Sequence, residues 1–274
     1  AREHRSEHYA IFSTATPERT AQVAAAVESL YRAYAGFFEL ADAAKPADRL
    51  KLILYRDRAQ FSHYNTSMPW AEAYYRKPYC HAYYAERGEN PYHWMLHEAT
   101  HQLNAERAGL AAPRWINEGL ATYFGTSVLQ DGVLHPGRID PNTYPIWWLG
   151  DLVLSGSLRD DLDNRRLIEL RQVIDGSGPA LGGAYLNVYY LQFWSLTHFL
   201  FHGQGGKYAG AYRKLMRGAG TVEEFEATVG PLERIQQEWY DYLLEKQAEQ
   251  SLAEQPVQHV PVPQRSADKS ATAR

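Results

Sequence analysis

The chain has 274 residues, a net charge of −4 and 45% hydrophobic residues, enough to bury a substantial core as one large domain or two small ones. A pI near 6.3 gives no long-range attraction to nucleic acid or anionic lipid, so no nucleic-acid partner is expected. The single cysteine, Cys80, excludes an internal disulfide framework and any cysteine-based zinc knuckle.

From the N-terminus, Ala1 to Arg5 has no apolar signal core. With no initiator Met, this start is compatible with an export signal removed beforehand, so the chain is expected to be soluble with its compartment open. His8 to Ser13 reads as a strand. Thr16 followed by Pro17 is an N-cap with proline at the first helical position. Val23, Val27, Leu30, Tyr31, Tyr34, Phe37 and Phe38 then recur at helical spacing to about Leu40. Leu50 to Tyr55 is a second strand, and the order β, α, β implies a sheet with a crossover helix packed on it. Asp57 to Tyr64 reads as a short helix and Met68 to Trp70 as a loop. Tyr79 to Ala85 has strand propensity and runs into a turn at Glu86 to Gly88. It is expected either as an edge strand that pairs with an extended substrate or as a sheet strand with no substrate role.

Asn90 and Pro91 are expected to open a helix that Gly109 stops, giving a helix from about Pro91 to Ala108. Pro113 enforces a break before a second helix, Trp115 to Thr126, and Gln130 to Gly132 is a turn. Beyond Gly132 the pattern is helical and loop-rich, without clear strands. Trp147, Trp148, Leu149, Leu152 and Val153 are expected to be buried, and Leu167 to Ile174 to form a short helix. Tyr185 to Phe201 reads as a long core helix. Its apolar run from Val188 is too short to span a bilayer, so no integral membrane segment is expected. Thr221 with Glu224 forms a capping box, and Pro231 opens a last helix through Trp239, Leu243 and Leu244. One catalytic domain over 1–250 is expected, with an N-terminal α/β part (1–132) and a helical part (133–250). The remainder, 251–274, is expected as a disordered tail. The aromatic content of 13%, with 20 Tyr and 7 Trp, would suit a wide, stacking-rich cleft.

The stretch that carries chemistry is His97-Glu98-Ala99-Thr100-His101. On a helix the two histidines lie one turn apart on one face and can reach a single metal ion, with Glu98 beside them as a base. Met95, Leu96, Ala99 and Leu103 surround them, so the helix should be buried. A third histidine ligand would require Gly at 104 and His at 107. Those positions are Asn104 and Arg107, and that class is rejected. A carboxylate remains. Glu118 is the best placed, since Gly119 allows close helix approach, while Glu106 is rotated away from both histidines and is expected to be solvated. Three protein ligands leave one position open, as in catalytic zinc sites.

These residues resemble the gluzincins, zinc peptidases with two His ligands and one Glu. Trp115 to Tyr123 looks like the ligand helix of thermolysin-like aminopeptidases. Over more of the chain the sequence is similar to an uncharacterised family of peptidase-MA-like proteins, a domain of unknown function. That similarity takes in His8 to Tyr64, His97 to Leu103, Pro113 to Phe124, Tyr190 to Leu200 and the ending near Glu238-Trp239. The resemblance implies an α+β zincin (gluzincin) fold with a small N-terminal sheet, the metal helix at its lower edge, a helical C-terminal half and a cleft between. It implies Zn2+ on His97, His101 and Glu118, with Glu98 as catalytic base. Tyr190 would support the oxyanion, with Tyr189 and Tyr185 as alternatives. The activity implied is hydrolysis of a peptide or protein substrate, in endopeptidase rather than aminopeptidase fashion, because the glycine-rich Met-Glu-Asn stretch that anchors a free amine is absent upstream of His97. The alternative is a catalytically silent peptide-binding or scaffold module on the same fold.

Overall fold

In Leu50–Tyr55 the leucines at 50, 52 and 54 are buried while Lys51 between them is exposed, the period-two pattern of a strand with one covered face. A computed structural model describes residues 1–40, 49–66, 71–85 and 90–253 and places this strand, β3, at the centre of a five-stranded sheet. Its companions are β1 (Arg2–Arg5), β2 (Tyr9–Ser13), β4 (Tyr74–Arg76) and β5 (Tyr79–Tyr83), in the order β1-β2-β3-β5-β4. The central strands β2, β3 and β5 are parallel, and β1 and β4 flank them antiparallel. The crossover from β2 to β3 is α1 (Pro17–Phe38), capped by the Thr16 side chain on Arg19 N–H as expected. A second short helix, α2 (Arg58–Tyr64), follows β3 and is capped by Asp57.

Two central helices follow, α3 (His93–Glu106) and α4 (Arg114–Gly125), and then a hairpin of β6 (Ser127–Gln130) and β7 (Val133–Ile139). The rest is helical: α5 (Leu158–Asp163), α6 (Leu170–Asp175), α7 (Leu186–Gly206), α8 (Ala209–Leu215), α9 (Val222–Thr228) and α10 (Leu232–Ala253). The mixed α and β content is as expected. One apolar cluster runs from Tyr9 and Leu52 of the sheet through Leu96 and Leu120 to Phe199 and Trp239, so the sheet and the helical half share a continuous core. A smaller cluster around Trp194, Tyr240 and Leu243 seals α7 against α10. No helix among the described residues is long and apolar enough to cross a membrane.

Several elements differ from the sequence expectation. Strand β1 was not anticipated: all four of its residues are exposed and polar, so it lacks the alternation that marks a strand. Strand β5 is not at the edge, because β3 pairs one side and β4 the other. Its backbone is therefore already paired on both sides, which removes it as a strand for substrate pairing. Strand β7, beyond Gly132, overturns the expectation of a strand-free half. Pro136 and Gly137 argue against a strand, and a two-stranded ribbon accommodates them with a register shift at Ser127/Val128. The hairpin turn itself, with Asp131 and Gly132 at positive φ, is where it was expected. Helix α3 starts at His93 rather than Pro91, because Asn90 offers its carbonyl to the His93 N–H and ring instead of a side-chain cap. Trp147 and Trp148, expected inside, are 42% and 38% exposed. The tail was expected from 251, but α10 runs on to Ala253; residues 254–274, the loop at Met68–Trp70 and the turn at Glu86–Gly88 lie outside the described residues.

Candidate metal centre

Helix α3 buries Met95, Leu96, Ala99 and Leu103 completely, fixing one face inward. Cys80 of β5 donates to the Glu98 carbonyl at 3.3 Å and helps seat the helix on the sheet. His97 and His101 then project together from another face. Helix α4 lies between α3 and α7, and a glycine serves each contact. A Cβ on Gly125 would sit 3.3–3.4 Å from the His97 backbone and Cβ, and one on Gly119 would sit 2.2 Å from Thr197 Oγ1 and 3.0 Å from the Phe193 carbonyl. The N-terminal end of α4 is tied down by Trp115, whose indole donates to the Gly220 carbonyl at 3.0 Å.

This packing brings three donor atoms to one point. His97 Nε2 and His101 Nε2 are 3.2 Å apart, and Glu118 Oε2 is 3.5 and 3.6 Å from them. Three ligands on a tetrahedral ion at 2.0–2.2 Å are separated by about 3.3–3.6 Å, so the triangle has the size such an ion needs. Glu118 Oε2 is buried with no hydrogen-bond partner among the described residues. A second grouping, Glu7, His8 and Glu28, is different. Glu28 is filled by Ser6 and His8, each at 2.6 Å, and ties the connection between β1 and β2 to α1.

The electrostatics follow from burial and proximity. Burial alone would raise the Glu118 pKa, but the His101 and His97 imidazoles outweigh it and hold the carboxylate well below its ordinary range. Burial likewise disfavours charge on His101, yet Glu118 raises its pKa to about 9. Glu98 is 8% exposed, and burial raises its pKa, with His97 and His101 opposing and Glu118 adding to the rise.

All five expected site residues converge. Tyr190, near the start of α7, has its ring 6.3 Å from that of His97, and burial pushes its hydroxyl pKa far up, with the Glu118 carboxylate adding to the rise. Tyr189 turns away to donate to the Pro179 carbonyl at 2.6 Å, and Tyr185 precedes the helix in a 3-10 turn. Glu106 is not simply solvated, since it accepts from Tyr75 Oη at 2.8 Å and Gln102 Nε2 at 3.2 Å. A cavity of 770 Å³ opens beside the centre, with His97, Glu98 and Tyr190 in its wall and Trp94, Tyr144 and Trp147 further along. The aromatic surplus in the composition is partly spent here.

Sequence reasoning missed a polar chain behind the ligands. Tyr34 Oη donates to Asn104 Oδ1 at 2.7 Å, and Asn104 Nδ2 donates to Asn117 Oδ1 at 2.9 Å, linking α1, α3 and α4 one residue before Glu118. Asn104 drew notice only as the wrong residue for another ligand pattern, and its long-range partners leave no local signal. His93, one turn before His97, did carry a signal in its spacing.

Residues 94–219 match a family model described as "Protein of unknown function (DUF1570)". The match includes His97, Glu98, His101, Glu118 and Tyr190, and it leaves out the sheet and the ending near Trp239, where a resemblance was also expected. No curated protein matches the chain.

Proposed function

We propose that this chain is a zinc-dependent peptide hydrolase of gluzincin type, acting as an endopeptidase on a peptide or protein substrate. The observation that carries the reading is the convergence of His97, His101 and Glu118 at 3.2–3.6 Å, with Glu98 on the same cleft. His97, His101 and Glu118 would hold Zn2+, which when bound supplies Lewis acidity toward a scissile carbonyl and lowers the pKa of water at the site to about 7. Glu98 takes the proton of the attacking water and returns it to the leaving amine, a task suited to a carboxylate whose pKa is raised by burial. The Tyr190 hydroxyl donates to the carbonyl oxygen as negative charge develops on it.

The test is metal content together with peptide cleavage. Purified chain is expected to hold about one zinc, Glu118→Ala to lose it, and Glu98→Gln to keep zinc while losing hydrolysis. A chain that takes up no zinc at micromolar concentration overturns the proposal. Peptide binding by both wild type and Glu98→Gln, without cleavage by either, would instead identify a silent binding module.

A further inference from the structure

The cavity beside Glu98 has a feature that hydrolysis does not use. His93 is 5% exposed and lines the cavity. Its Nδ1 lies 2.9 Å from the Asn90 carbonyl, which can only accept, so Nδ1 carries the hydrogen and Nε2 presents a lone pair. That Nε2 is buried and has no partner among the described residues. A buried acceptor left unmade is costly, and most find a partner.

The surroundings limit what that partner can be. Trp147 meets the His93 ring edge-on, with centroids 5.6 Å apart and planes at 84°. Trp94 lies 5.6 Å from Tyr144, and Tyr144 lies 5.3 Å from Tyr190, so aromatic faces run from His93 to the hydrolytic centre. Trp147 is 42% exposed, a large ring left open on the cavity side. The charged groups at the far end are already paired: Glu72 accepts from Arg58 Nε at 2.7 and 3.0 Å and from Tyr83 Oη. Among the described residues lining this end, Glu72 and Arg58 already answer each other's charge, while a neutral ring with one donor satisfies both the walls and the imidazole. Burial holds the His93 pKa down, at about 4, keeping the ring a neutral acceptor at physiological pH.

We propose that this end of the cleft is a specificity subsite for a tyrosine or tryptophan side chain of the substrate, its O–H or N–H donating to His93 Nε2 and its ring packing against Trp147 and Trp94. The subsite rests on the hydrolase reading for its substrate class, but it is tested by binding, which needs no turnover.

The probes are N-acetylated hexapeptides of alanine and glycine that carry a single Tyr, Trp, Phe or Leu at each position in turn. Their affinity for zinc-loaded Glu98→Gln is measured by calorimetry. At one position, Tyr and Trp peptides are expected to bind at least about ten-fold more tightly than Phe, because a site built around a hydrogen bond rejects the analogue that lacks it. His93→Leu in the same background should bring the Tyr-to-Phe ratio to about one. Trp147→Ala, at an exposed position where folding is not at risk, should weaken all aromatic peptides about five-fold or more relative to Leu. A Tyr-to-Phe ratio near one in the parent, a ratio that survives His93→Leu, or unchanged aromatic binding in Trp147→Ala overturns the subsite. Selective binding by a chain that never cleaves would sink the hydrolase reading and leave the subsite standing. Cleavage of all peptides without aromatic preference would do the reverse.

Discussion

Tyr190 stands in the cavity wall beside His97, on a third helix, so removing its hydroxyl leaves the three donor atoms in place. Tyr190→Phe is therefore expected to keep zinc and lower kcat by about 10²-fold with little change in KM, the signature of a donor that matters as charge develops. An equal loss in zinc content would show that the hydroxyl is needed to hold Glu118 instead. Asn117 acts one step further back. It contacts no reacting atom, but it accepts from Asn104 at 2.9 Å and immediately precedes Glu118. Asn117→Ala leaves the Asn104 amide without this partner and frees the start of α4. Zinc affinity, measured by chelator competition, should fall by about 10- to 100-fold, the range typical of residues that orient ligands from behind. Unchanged affinity would mean that the Tyr34–Asn104–Asn117 chain only supports the fold.

Among the elements, α4 packs closely between α3 and α7, and Gly119 shows how. A Cβ there would overlap Thr197 Oγ1 at 2.2 Å, and that hydroxyl cannot simply swing aside because it bonds Tyr212 Oη at 2.9 Å. Gly119→Ala must push α4 away from α7, separating Glu118 from Tyr190, at a cost of about 1–3 kcal/mol for overpacking. The variant should fold with a lowered urea midpoint and lose activity beyond its loss of stability. Activity equal to wild type in the folded fraction would show that the helix spacing is not critical. The same elements show what could be read in advance. Local rules were enough for α1, α4 and the ligand pair: Thr16-Pro17 caps one helix, Pro113 starts another, and His97 and His101 share a face through spacing alone. What escaped is non-local or lacks pattern. The polar strand β1 has no buried face, β7 contains Pro136 and Gly137, and β5 looked like an edge because its outer partner β4 is only three residues long. Trp147 and Trp148 read as core because hydrophobicity alone does not separate a buried ring from one lining an open cleft.

At the scale of the whole molecule, His198 joins three separate parts of the chain. It sits on α7, donates from Nε2 to the Gly137 carbonyl of β7 at 2.9 Å and accepts at Nδ1 from Tyr242 Oη of α10 at 2.7 Å, so the neutral imidazole satisfies both neighbours. Burial pushes its pKa from the usual 6.5 down to about 4. The unfolded chain therefore takes up a proton below about pH 6.5 that the folded chain refuses until about pH 4. The stability contributed by the neutral ring is complete above pH 6.5 and lost as the pH falls toward 4, by about 2–3 kcal/mol at 1.36 kcal/mol per unit. His81 and His93 are also held down at about 4 by burial, which adds to the acid sensitivity. Urea unfolding at pH 7.0, 5.5 and 4.5 should show the wild-type chain losing stability steadily across this window. His198→Gln cannot titrate but can donate and accept at the same junction. It should be less stable at pH 7.0, yet its drop between pH 7.0 and 4.5 should be smaller by about 2–3 kcal/mol. If the two chains lose stability in parallel, the junction of α7, α10 and the hairpin is not closed by a neutral histidine, and acid sensitivity comes from other groups, such as His81, His93 or the Glu28 carboxylate held low by Ser6 and His8.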